Sequence, residues 1–92
     1  MKILKFSAIW CPSCIIMTNT INKLVKKYPN IEIINYDYDS EDELVSKYNI
    51  GDILPVLIFI NDNGDEITRT IGEKSLKELE EVVRKNNYEK NN

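Results

Sequence analysis

The chain has 92 residues, with 12 basic and 15 acidic side chains, no histidine and a formal charge of −3. That length supports one domain burying only about 60–65% of its unfolded surface, and a hydrophobic fraction of 42% is enough for one core. The negative balance, with lysines spread along the chain, argues against nucleic-acid and anionic-membrane partners, which need a basic face. No apolar run approaches the roughly 18 residues of a transmembrane helix. The N-terminal run is interrupted by Lys5 and reaches Cys11 with no room for a cleavage site. A cytoplasmic protein is therefore expected, where a stable structural disulfide is unusual.

Ile3 to Ser7 reads as a short buried strand. From Pro12 the period becomes helical, with Ile21, Leu24, Val25 and Tyr28 on one face. Tyr28-Pro29-Asn30 stops that helix, because proline and the residue before it resist the α conformation. Ile31 to Tyr36 is apolar and β-branched enough for a second strand; Tyr36 and Tyr38, with Asp37 and Asp39, read as edge and loop residues without a chemical role. Ser40 with Glu43 has capping-box spacing and opens a short helix with Leu44, Val45 and Tyr48 inward.

Gly51-Asp52 breaks that helix, and Val56 to Ile60, the most apolar run, predicts a central strand. Asn61 to Gly64 is a hairpin-turn signal leading into Glu66 to Ile71. Gly72 ends this strand. Ser75 with Glu78 gives a second capping box, and Leu76, Leu79, Val82 and Val83 supply the last helix with a buried face. The order β-α-β-α-β-β-α predicts an α/β fold with a four-stranded mixed sheet and helices on both faces. The domain spans 1–86, and 87–92 form a polar tail that frays.

Both cysteines lie in Cys11-Pro12-Ser13-Cys14, where the first strand gives way to a helix. A thiolate attacks a disulfide, and the unpaired N–H groups and positive dipole end of a helix N-terminus favour that anion. Cys11 is placed to attack. Pro12 fits the first turn, where its missing N–H costs nothing, and Cys14, one turn further in and less exposed, is placed to resolve the mixed disulfide. Helical i, i+3 positions hold Cβ atoms about 5–6 Å apart, beyond the 3.5–4.5 Å of a relaxed disulfide, so the bond opens readily.

Other readings stand beside this one. A structural bridge across so short a loop is worth only roughly 2 kcal/mol. A metal site has two ligands here and needs a second chain or an external thiol. A further alternative is a pair of merely buried, inert cysteines.

A Cys-x-x-Cys beside a βαβ pattern resembles the thioredoxin superfamily. Trp10 precedes Cys11 as in thioredoxin-type Trp-Cys motifs. Pro55, in Ile53-Leu54-Pro55-Val56, stands where the family places a cis-proline facing the cysteines. Gly72 followed by Glu73 to Val83 is similar to the family's strand-glycine-helix ending. The resemblance covers roughly Lys2 to Lys85.

It implies a thioredoxin-like fold and a thiol–disulfide oxidoreductase reducing protein disulfides. Cys11 and Cys14 are then catalytic, and Trp10, Pro12, Ser13, Leu54, Pro55 and Gly72 bind substrate. The redox-active Cys11–Cys14 disulfide serves as its own cofactor, without metal. The implied partners are disulfide-containing proteins and an electron donor, either a thioredoxin reductase-like flavoenzyme or glutathione. The protein acts as a monomer, away from nucleic acid and membrane.

Several residues depart from the pattern. The chain opens on the strand before the cysteines, without the strand and helix that precede it in full thioredoxins, a span similar to glutaredoxins. Pro12-Ser13 replaces Gly-Pro, which is expected to raise the reduction potential. Lys5 occupies the place of a buried acid. Either its ammonium favours the Cys11 thiolate, or it sits at a strand end and snorkels to water.

A glutathione-dependent glutaredoxin is the alternative, with Lys74 or the Ser75 helix start receiving an anion, although the usual Gly-Gly and acidic pair are replaced by Gly72 to Ser75. A non-catalytic module of the same fold, holding a metal or iron–sulfur cluster between two chains, is a third reading.

Overall fold

The computed structural model describes residues 1–86, and the tail assigned to 87–92 lies outside the described residues. The apolar run Val56–Ile60 forms β3, buried along its whole length. It can be buried on both sides because it is interior to the sheet. β1 (Lys2–Ser7) pairs antiparallel with β3 on one side, and β4 (Glu66–Ile71) pairs antiparallel on the other. β2 (Glu32–Asp37) pairs parallel with β1, giving the order β2-β1-β3-β4. The expected β-α-β-α-β-β-α order and mixed sheet are therefore present.

Strand alternation sends side chains into two cores. Leu4, Phe6, Val56 and Ile58 face Leu44 and Val45 of α2 (Asp42–Lys47) and the adjoining Tyr48. Ile3, Leu57 and Phe59 meet Met17, Ile21 and Leu24 of α1 (Pro12–Lys27) and Leu79 and Val83 of α3 (Leu76–Asn86). Each side chain of this kind contributes about 1.5–3 kcal/mol by leaving water.

The helix ends follow local chemistry, with one exception. α1 closes with the Tyr28 amide donating to Leu24 O at 2.9 Å, just before Pro29. The Ser75–Glu78 capping box is reciprocal: Ser75 N donates to Glu78 Oε1 at 2.9 Å, and Glu78 N to Ser75 Oγ at 3.1 Å. The Ser40–Glu43 box does not form. Glu41 is the N-cap of α2 and makes no side-chain cap bond, because Ser40 Oγ instead donates to Asp37 Oδ2 at 2.6 Å. A nearby carboxylate accepts more strongly than the serine hydroxyl caps.

The β3–β4 turn is organised by Asn61, whose Oδ1 accepts from the amides of Asn63 and Asp65 at 2.9 and 3.0 Å. After β4, Gly72 adopts φ 88° and its amide donates to Pro55 O at 2.9 Å. That bond ties the end of β4 to the loop before β3.

Candidate active site

Cys11 is the N-cap of α1, with an extended backbone (φ −103°, ψ 105°) and Pro12 in the first turn. It stands outside the helix, so the pair is not held at the helical i, i+3 spacing expected from the sequence. Its sulfur takes the place of a capping oxygen: Cys14 N donates to Cys11 Sγ at 3.2 Å. A sulfur at this position completes its acceptor role best as an anion.

Both cysteines are free thiols and both are buried, 5% exposed for Cys11 and 3% for Cys14. Their hydrogen bonding differs, however. Burial, followed by the hydrogen bond of its thiol to Cys11, pushes Cys14 up to about 11; a backbone hydrogen bond at Ala8 and the charge of Lys5 pull the other way. Cys14 thus holds its proton while Cys11 accepts.

Trp10 is 56% exposed beside Cys11. Its Nε1–H donates to Asp39 Oδ2 at 2.8 Å, and its ring meets Tyr38 edge-on with centroids 6.4 Å apart. The Tyr38 amide donates to Ser7 O at 2.8 Å, which carries the β2–α2 loop to the end of β1. Asp37 Oδ1 accepts from the Asp39 amide at 3.2 Å and shapes that loop. Tyr38, Asp37 and Asp39 are therefore part of the Trp10 support, a role the sequence reading did not give them. Their alternation of aromatic and acidic residues is the signal that was available. Tyr36 instead packs its ring on Phe6 at 5.2 Å.

Leu54 lies in the same buried cluster as Cys11 and Cys14. The Leu54–Pro55 bond is cis, as the resemblance implied. Gly72 is fastened to Pro55 as described, so Leu54, Pro55 and Gly72 form one connected wall. Pro12 is exposed and Ser13 half-buried on the first turn of α1. Ile9, Ile53 and Ile71 are exposed large apolar residues, Ile9 at 92%.

Lys5 is in the middle of β1, paired with Asn35 and Leu57, and is 5% exposed. The strand-end snorkelling reading is overturned, since both neighbouring strands and α1 enclose the side chain. Its Nζ donates to Thr18 Oγ1 at 2.8 Å, and Thr18 Oγ1 donates to Cys14 O at 3.1 Å. Burial lowers the Lys5 pKa, while the Cys14 charge raises it. The lysine is coupled to Cys14, whereas the sequence expectation set it against Cys11. Thr18, which ties Lys5 to the cysteine turn, was not anticipated. A cavity of about 390 Å³ beside Cys14 is lined by Ser7, Ile15, Thr18, Asn35 and Asp37, among others.

The amides of Ser75 and Glu78 are taken by the capping box, and Lys74 N donates to Met17 Sδ at 3.3 Å. Part of the helix start considered for a glutathione anion is therefore engaged within the chain. Among the described residues, no group of three or more Cys, His, Asp or Glu is placed to hold a metal.

The sequence pattern that defines the family described as Thioredoxin matches residues 1–85. The chain belongs to the thioredoxin family. Thioredoxin H5 of Oryza sativa is 39% identical over 70 residues, covering 76% of this chain and 50% of the rice protein. A Chlamydia trachomatis thioredoxin is 30% identical over 83 residues, covering 90% of this chain and 79% of the other. The chain thus spans half the length of the rice relative and most of the chlamydial one.

Among solved structures, a malaria-parasite thioredoxin-2 superposes with a TM-score of 0.84 at 27% identity, covering 91% of this chain and 81% of that one. A Fasciola hepatica thioredoxin gives 0.79 at 30% identity, covering 90% and 78%. Thioredoxins are thiol–disulfide oxidoreductases, and the Cys11–Cys14 geometry fits that chemistry. No helix among the described residues is long and apolar enough to cross a membrane.

Proposed function

We propose that this chain reduces the disulfides of protein substrates by dithiol exchange, with Cys11 attacking and Cys14 resolving. The observation that carries the reading is the Cys14 amide on Cys11 Sγ at 3.2 Å, at a helix start where Cys14 itself is held as a thiol.

The Cys11 thiolate attacks one sulfur of the substrate disulfide, whose S–S bond breaks; the departing sulfur takes the electron pair and then a proton. Cys14 loses its proton and attacks Cys11 Sγ. The Cys11–substrate bond breaks, the second substrate sulfur leaves and is protonated, and the chain is left as the Cys11–Cys14 disulfide. Two electrons have passed to the substrate. Exposed Trp10 and Pro12, with Ser13 and the Leu54–Pro55–Gly72 wall, bind the substrate segment around the exchanging sulfurs. A donor, a thioredoxin reductase-like flavoenzyme or glutathione, returns the pair to the dithiol. The protein works in the cytoplasm as a monomer.

The test is reduction of insulin disulfides by the wild-type chain and by Cys11→Ser, with NADPH and thioredoxin reductase or with glutathione and its reductase as the donor system. The wild type is expected to turn over and Cys11→Ser to be silent. Absence of insulin reduction by the fully reduced wild-type chain overturns the reading.

A further inference from the structure

An ammonium enclosed in a sheet is costly unless an anion faces it. Among the described residues no carboxylate is ion-paired with Lys5; its hydrogen-bond partner is the Thr18 hydroxyl. Thr18 in turn donates to the carbonyl of Cys14, so the ammonium is fastened to the helical turn that carries the resolving cysteine. The titratable groups around it are Cys14 of α1, with Cys11 behind it at the N-cap, and Asp37 at the end of β2, which lines the same cavity as Cys14 and Thr18. Asp37 is engaged by Ser40 and the Asp39 amide. The adjacent positions on β2 and β3 are the uncharged Asn35 and Leu57.

The dithiol with a protonated Cys14 and the Cys11–Cys14 disulfide both leave this charge without an anion from Cys14. The state that supplies one is the mixed disulfide at the moment Cys14 has lost its proton. An interaction made in that state and absent before it lowers the barrier rather than the ground state.

We propose that Lys5 is a positioning residue for the resolving step, its buried ammonium serving as counter-ion to the Cys14 thiolate that attacks the mixed disulfide. The proposal deepens the reading of Cys14 as the resolving cysteine and rests on it. Cys14 gives its proton to solvent through the cavity it shares with Thr18. Its sulfur electron pair forms the bond to Cys11 Sγ, the Cys11–substrate bond breaks, and the leaving sulfur takes that pair and a proton.

The experiment loads Cys11 with thionitrobenzoate and follows its release between pH 5 and 10 in the wild type, Lys5→Met and Cys14→Ser. Release by the wild type that is lost in Cys14→Ser tests the underlying reading by itself. Lys5→Met is expected to slow release at least tenfold at pH 7 and to move the pH midpoint up by at least one unit, which a merely structural residue would not do. An unchanged midpoint overturns the proposal.

Should Lys5→Met not fold, Lys5→Gln takes its place in the same release assay, with the same slowing and the same upward shift of the midpoint expected. An unchanged midpoint in Lys5→Gln overturns the proposal.

Discussion

The indole N–H of Trp10 donates to Asp39 Oδ2 at 2.8 Å, joining the residue before Cys11 to a loop 29 positions away. The bond fixes an exposed ring that forms one side of the site. Replacing Asp39 by Ala removes the acceptor, and an exposed hydrogen bond of this kind is worth about 0.5–1.5 kcal/mol. Asp39→Ala should therefore raise KM for a protein disulfide by roughly 2- to 10-fold, with little change in thermal stability. Asp39→Asn, which keeps an acceptor oxygen, should stay near wild type. Steady-state insulin reduction, with Trp10 emission as a local probe, checks both.

The two thiols should also separate by pH. Cys14 is pushed up to about 11 by burial first and by its hydrogen bond to Cys11 second. Because the thiolate is the form that alkylates, iodoacetamide at pH 7 should label Cys11 first. Labelling at Cys14 should rise only as the pH approaches 11. Peptide mapping by mass spectrometry reads the order; first labelling at Cys14 would contradict the assignment.

Gly72 and Gly51 should respond in opposite directions to alanine. At Gly72 the backbone has φ 88°, while a Cβ would meet Ile53 Cγ2 at an ordinary 3.9 Å. The cost is conformational, about 1–2 kcal/mol. Gly51 has no positive φ and nothing within 4 Å of a new Cβ. Gly51→Ala should be neutral or stabilising by up to about 1 kcal/mol through the unfolded chain. Urea unfolding of the two variants makes the comparison.

Lys5→Met should stabilise the resting dithiol even as it slows resolution. Exchanging a buried charge without a counter-ion for an apolar side chain of similar length typically gains about 1 kcal/mol or more. The gain has a pH signature. Burial lowers the Lys5 pKa from its ordinary 10.5. Between that lowered value and 10.5 the unfolded chain binds more protons, so wild-type stability rises with pH there relative to the variant. The advantage of Lys5→Met is full below the folded pKa and shrinks toward pH 10.5. Cys14 works the other way above its ordinary 9.0, so the two proteins are compared in a Cys14→Ser background. Urea unfolding across pH 7–10.5 tests this.

What the sequence conveyed well was written in local pattern. The five-residue apolar run of β3, the Pro12 helix start and the Ser75–Glu78 box are decided by neighbours in the chain, and each forms as expected. Ser40 and Glu43 show the limit of that logic. Their spacing was right, but Asp37 competes for the serine hydroxyl, and a spacing rule does not see a third group.

The snorkelling reading of Lys5 failed for a related reason. Its enclosure depends on β2 and β3 flanking β1 and on α1 crossing over it, contacts made by residues far away in sequence. The Trp10–Asp39 bond likewise depends on the Tyr38 amide reaching Ser7 O, which no local signal marks. The placing of Cys11 at a helix start was legible because the two are adjacent in the chain; the Thr18 and Asp39 contacts were not, because they arrive through the tertiary fold.

Trapping separates the attacking cysteine from the resolving one. Reduced Cys14→Ser and Cys11→Ser proteins are each mixed with insulin and analysed intact by mass spectrometry. A persistent insulin-chain disulfide is expected at Cys11 in Cys14→Ser, and no comparable adduct in Cys11→Ser. An adduct that forms at Cys14 as fast as at Cys11, or none at Cys11, would contradict that assignment.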